Sequence, residues 1–146
     1  MENKQKQTPL SELGEFGLIE RLTEKIQLKN TSTLKGVGDD AAILSYPDKK
    51  IVVTTDLLTE GIHFNLMYVP LKHLGYKAVV VNLSDVFAMN ATPKQITVSI
   101  AISSKFSLEA AEELYSGIHL ACAKYGVDLI GGDTTRGPLN ICITVL

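Results

Sequence analysis

Asp40, Asp56, Asp85 and Asp133 each stand in or beside an apolar run of the sequence. Asp40 precedes Ala41–Leu44, and Asp56 follows Ile51-Val-Val-Thr-Thr55. Asp85 lies inside Ala78–Phe87, and Asp133 follows Val127-Asp-Leu-Ile-Gly-Gly132. Strand ends on one edge of a sheet converge, so these carboxylates are expected to meet at one site. A carboxylate there loses water and needs compensation. Several together repel one another unless a cation sits between them. Oxygen ligation by Asp, with hydroxyls or carbonyls of Thr54 and Thr55, suits hard magnesium. Magnesium held by a few carboxylates usually also binds substrate phosphate, and the chemistry this points to is phosphoryl transfer.

Each residue also has a plainer reading. Asp39 and Asp128 read as turn residues and Asp48 as solvent-exposed. The structural alternative for Asp85 is a buried carboxylate paired with Lys77 or a backbone amide. His63, in Thr59-Glu-Gly-Ile-His-Phe64, is expected in a loop, free to bind a phosphate or polar substrate or simply solvated. Arg136 is a lone loop arginine, and His73 and His119 have no apparent partners. Gly36-Val-Gly38-Asp39-Asp40-Ala41 fits a loose dinucleotide fingerprint, but it follows a helix and leads into a strand, the reverse of what that fingerprint requires. No P-loop pattern occurs.

The elements that must carry these groups follow from periodicity. Phe16, Ile19, Leu22 and Ile26 mark one face of a helix over about 15–27. Ala41–Tyr46 and Ile51–Thr55 read as strands joined by a turn at Pro47–Lys50, and Asp56–Val69 as irregular. Pro70 opens a helix to about Met89 that is apolar on most sides, the mark of a buried helix. Gln95–Ile102 reads as a strand. Ser107 caps a helix whose stripe runs from Leu108 to Tyr125, and Gly126 stands at its C-cap. Val127–Ile130 and Asn140–Leu146 read as strands separated by a loop over 131–138. The expected class is α+β, a mixed sheet with helices on one face.

The chain has 146 residues, 45% of them hydrophobic, and a net charge of −2. That is enough for one domain with a core. Residues 1–12 are expected as a flexible arm and 13–146 as the domain. Scattered Lys and Arg argue against nucleic-acid binding through a basic patch. No apolar run approaches the ~20 residues that span a bilayer. The polar start lacks a secretory core, so cytoplasmic is the default location. Cys122 and Cys142 are expected as reduced core residues. The sequence stops at Leu146 inside an apparent strand, as expected of a piece of a longer protein.

Five blocks in this order resemble thiamine-monophosphate kinases. They are Gly38-Asp-Asp-Ala-Ala42, Thr54–Phe64, Gly75-Tyr-Lys-Ala-Val-Val-Val-Asn-Leu-Ser-Asp85, Ala88-Met-Asn-Ala-Thr-Pro93 and Gly131-Gly-Asp-Thr-Thr-Arg-Gly137. The likeness runs from about Gly14 to the end. That family shares the N-terminal ATP-binding fold of aminoimidazole ribonucleotide synthetase, selenophosphate synthetase and the hydrogenase-maturation dehydratase. Those relatives differ in the His-Phe and Asp-Thr-Thr blocks. Asn90 departs from the Gly usual in the family.

The resemblance implies that ATP and thiamine monophosphate give ADP and thiamine diphosphate by direct in-line transfer. By position it implies magnesium ligation by Asp40, Thr54, Thr55, Asp56, Asp85 and Asp133. It implies ATP contacts from Gly132, Asp133 and Tyr115, and a substrate contact from His63. It also implies a homodimer paired through its sheets, and a second α/β domain that this chain lacks, so the chain alone is expected to be close to inactive. The alternatives are a related ATP-dependent synthetase or ligase, or a non-catalytic dimerising fragment that binds nucleotide.

Overall fold

The computed structural model describes residues 9–146. These divide into two compact units, one ending at Thr31 and the other spanning Ser32–Leu146. Most of the segment expected as a flexible arm lies outside the described residues. Its last part, Leu10–Glu12, forms a single 3-10 turn.

In the first unit, helix α1 spans Gly14–Thr23. It stops short of Ile26, so the expected stripe outruns the helix. The hydroxyl of Thr23 donates to the Ile19 carbonyl at 2.8 Å in the last turn, a side-chain bond that competes with helix continuation. Phe16 and Leu22 are exposed.

The second unit is α+β. A six-stranded mixed sheet runs β1-β2-β3-β6-β4-β5. The strands are β1 (Thr33–Lys35), β2 (Ala42–Tyr46), β3 (Lys49–Thr59), β4 (Gln95–Ile102), β5 (Asp128–Arg136) and β6 (Asn140–Val145). Helix α2 (Leu71–Ala88) lies between β3 and β4 in sequence, and α3 (Leu108–Tyr125) between β4 and β5. The crossover through α3 makes β4 and β5 parallel, and every other pairing is antiparallel.

Alternation decides the faces. Ile96, Val98 and Ile100 of β4 and Ile141, Ile143 and Val145 of β6 are buried in one core with Leu74, Val79, Leu83, Leu114 and Ile118 of the helices. Each such side chain contributes about 1.5–3 kcal/mol on burial. The intervening residues, including Thr97, Ser99, Cys142 and Thr144, sit on the sheet's other face and are half-buried. Cys142 is therefore not a core residue, whereas Cys122 is buried as expected.

The two helices cross at glycines. A Cβ on Gly75 would stand 2.0 Å from the Leu114 carbonyl oxygen, and one on Gly117 would stand 1.9 Å from that of Lys72. Only glycine on each side lets the backbones approach so closely. Ser107 caps α3 by accepting from the Ala110 amide, and Gly126 closes it in the left-handed conformation.

Two elements run past their expected ends, and both carry site residues. β3 continues to Thr59, so Asp56 lies within a strand. β5 continues to Arg136, so Gly131–Arg136 is strand and not loop. In both cases a neighbouring strand supplies the hydrogen bonds that turn-forming residues do not signal. β1 has no apolar alternation and was not expected.

Candidate functional site

β3 carries Thr54 and Asp56 on its helix-facing side. The Asp56 amide donates to Oδ1 of the buried Asn82 at 2.9 Å, while Asn82 Nδ2 donates to the Ala78 carbonyl in its own helix. This ties the strand to α2. Three residues beyond Asn82 comes Asp85, whose Oδ2 lies 3.2 Å from the Thr54 hydroxyl. The same hydroxyl lies 3.0 Å from the Asp40 carbonyl. Its single proton serves one acceptor at a time.

Asp40, Thr54, Asp56 and Asp85 thus form one group, drawn from the loop before β2, from β3 and from α2. Burial raises the Asp85 carboxyl above its usual range. Charge repulsion from Asp56, and to a lesser degree from Asp40, adds to this, while the Thr54 hydrogen bond opposes it. Asp85 does not pair with Lys77, the structural alternative considered above. Asp39 is held by Lys35, which keeps its carboxyl below the ordinary value.

Thr55 and Asp133 stand apart from this group. The Thr55 hydroxyl is on the opposite face of the sheet, where it donates to the Ile143 carbonyl at 3.1 Å and lies near Cys142 and Thr144. Alternation along β3 puts it there. Asp133 lies on the edge strand β5, in a register row that runs Leu57, Cys142, Ser99, Asp133. Three strand spacings of about 4.8 Å put it roughly 14 Å from β3. The expected convergence of all the carboxylates is therefore met by the first three and not by Asp133. Sheet order is the reason, since β6 and β4 intervene.

Asp133 has other company. With Tyr115 of α3 and Gly131–Gly132 it lines a cavity of about 460 Å³ along the β5 edge. Gly132 has φ 155°, and a Cβ there would meet the Val98 carbonyl oxygen at 1.7 Å. Only glycine lets the strand lie this close to the β4 backbone at that point.

A second cavity, about 250 Å³, adjoins the acidic group and shares Asp56 with it. His63 and Lys77 also line it. His63 Nδ1 accepts from the Thr59 amide at 2.9 Å, and Lys77 Nζ donates to the His63 carbonyl at 2.8 Å. Sequence reasoning did not place Lys77 at this cavity. Its four-residue steps to Val81 and Asp85 on α2 were the available signal.

Magnesium takes oxygen donors, needs only one or two carboxylates and keeps several waters. Asp40, Asp56 and Asp85, whose charges repel, with the Thr54 hydroxyl beside them, fit that chemistry. Among the described residues no three His, Cys, Asp or Glu side chains are placed to hold a metal ion as they stand, so the group would need waters and phosphate oxygens to complete an ion's shell. Among those residues no helix is long and apolar enough to cross a membrane.

Residues 38–146 match the family model for AIR synthase related protein, N-terminal domain. The chain belongs to this family. Within it, the chain is 39% identical over 127 residues to thiamine-monophosphate kinase of Aquifex aeolicus, covering 87% of this chain and 39% of that one. It is 40% identical over 139 residues to the Synechococcus elongatus kinase, covering 94% and 41%. The solved structure of AaThiL complexed with AMPPCP and TMP superposes with a TM-score of 0.85 at 33% identity, over 97% of this chain and 44% of that one. The chain thus spans about 40% of the length of these curated relatives.

Proposed function

We propose that the whole protein is a thiamine-monophosphate kinase and that this chain carries its metal-binding and acceptor-facing half. The observation that carries the reading is the shared position of Asp56, which belongs both to the acidic group and to the cavity lined by His63. A phosphoryl donor held at the carboxylates and an acceptor held in that cavity would be neighbours. The kinase relatives and the AMPPCP and TMP complex of the neighbour support the choice of substrates.

In this reading Asp40, Asp56 and Asp85, with Thr54, hold magnesium. The family resemblance also implies Thr55 and Asp133 as ligands; Asp133, roughly 14 Å from β3, would meet a metal at the nucleotide on the β5 edge and not in this group. When bound, magnesium offsets phosphate charge and orients the transferring group. Tyr115, Gly132 and Asp133 bind ATP along the β5 edge, and His63 meets thiamine monophosphate. An oxygen of the acceptor phosphate attacks the γ-phosphorus, the bond to the β-phosphate oxygen breaks, and ADP leaves. The attacking oxygen is already ionised at neutral pH, so no general base is required.

A second copy of the protein covers the open face of the sheet. There Tyr46 is 48% and Leu57 55% exposed, beside half-buried Ile51, Val53 and Cys142. The test is direct. The full-length protein with ATP, magnesium and thiamine monophosphate is expected to release equal amounts of ADP and thiamine diphosphate, and Asp56→Asn is expected to lose this activity. A normal rate in Asp56→Asn would refute the metal assignment. ADP release with other acceptors but not this one would favour a synthetase.

A further inference from the structure

In the cavity shared by Asp56, His63 and Lys77 the histidine is held through backbone hydrogen bonds. His63 follows the tight turn after β3, in which the Gly61 amide donates to the Phe64 carbonyl at 2.8 Å and the His63 amide donates to the Thr59 carbonyl at 2.9 Å. Buried Leu58 and Phe64 anchor the turn at its two ends. The ring is held too, because Nδ1 accepts from the Thr59 amide. An acceptor Nδ1 carries no proton, so the neutral ring carries its proton on Nε2 and offers a donor there.

Lys77 fixes the same turn from the helix side through the His63 carbonyl. That bond uses one of its three N–H donors and leaves two. Among the described residues Lys77 forms no ion pair, and it is exposed at the cavity. The cavity is therefore lined by one ammonium and one held imidazole beside the Asp56 carboxylate. A cation is needed there if an anion is to approach Asp56.

We propose that Lys77 and His63 form a paired-donor cradle for the phosphate of the acceptor, in which Lys77 both contacts the anion and positions His63, and His63 acts as a fixed Nε2–H donor and never as a base. This rests on the reading of the cavity as the acceptor site. It deepens that reading by assigning Lys77 a role and by fixing which proton His63 carries. A donor pair without a base suits an acceptor whose attacking oxygen is already an anion.

The experiment uses the full-length enzyme. Lys77→Met keeps the aliphatic stem and removes the charge. It is expected to raise KM for thiamine monophosphate by about tenfold or more, the loss of one charge-assisted hydrogen bond, with kcat and KM for ATP little changed. Lys77→Arg is expected to recover part of that loss. His63→Gln, which keeps a donor near the Nε2 position, is expected to outperform His63→Ala in KM for the acceptor. A long-range ¹H–¹⁵N spectrum of the wild-type enzyme is expected to show His63 with an unprotonated Nδ1. The proposal fails if Lys77→Met leaves acceptor KM unchanged in an otherwise active, folded enzyme, or if His63 carries its proton on Nδ1. Absence of any turnover of thiamine monophosphate by the wild-type enzyme would instead overturn the kinase reading itself.

Discussion

The side-chain oxygen of Asn82 accepts the backbone amide of Asp56 at 2.9 Å, across the interface between α2 and β3. Asn82 is fully buried, and its own amide is satisfied by the Ala78 carbonyl. One polar side chain in the core therefore sets how Asp56 sits relative to Asp85. Asn82→Ala strands the Asp56 amide and leaves a small cavity. The two effects together are expected to cost about 2–4 kcal/mol. Urea denaturation of the isolated chain measures this, and a loss below about 0.5 kcal/mol would mean that water or a backbone shift replaces Asn82.

Asp85 is the group whose ionisation the fold opposes. Its carboxyl is raised above the ordinary 3.8, by burial first and by Asp56 next. The folded state therefore holds this proton to higher pH than the unfolded chain does. The resulting penalty is absent below the ordinary value and develops as pH rises through it and past the raised folded value. Asp85→Asn removes the charge and keeps an oxygen for the Thr54 hydroxyl. Without metal the variant is expected to be more stable than wild type at pH 7 by up to about 1 kcal/mol, the scale of partly screened charges. The advantage should shrink towards pH 4. Magnesium should raise the melting temperature of wild type by more than that of the variant. A variant less stable than wild type at pH 7 would contradict this account of the acidic group.

Much of this arrangement was legible because it is local. Pro70, Ser107 and Gly126 marked helix ends that the structure keeps, and β4 matches its expected span. The departure at Asn90 also has a local explanation. Asn90 has φ 54° just beyond α2, a left-handed position that asparagine tolerates better than most residues, so it serves where glycine is usual. What was not legible depends on strand order. Nothing in the spacing of Asp56 and Asp133 says that β6 and β4 separate them. The same is true of the faces, because Thr54 and Thr55 look equivalent until the register puts one on the helices and the other on the open side.

The crossing of α2 and α3 depends on backbone contact at Gly117, where a Cβ would lie 1.9 Å from the Lys72 carbonyl oxygen. Neither backbone segment can yield as a flexible side chain would. Gly117→Ala is expected to push the helices apart and cost about 3 kcal/mol, the upper part of the range for overpacking. Thermal unfolding checks this. A melting temperature within a degree or two of wild type would show that the pair slides freely.

The open face of the sheet supports a prediction about assembly. Leu57 sits there at 55% exposure, in register with Cys142 and flanked by Thr55. Its side chain lies outside the core, so a charge at this position should not disturb folding of the single chain. If two copies pair through this face, Leu57→Asp places two carboxylates in a drying interface, where each unpaired charge is costly. The full-length protein is then expected to sediment as a dimer and Leu57→Asp as a monomer, with near-native circular dichroism for both. A dimer that survives the substitution unchanged would move the interface elsewhere and leave this apolar strip without a partner.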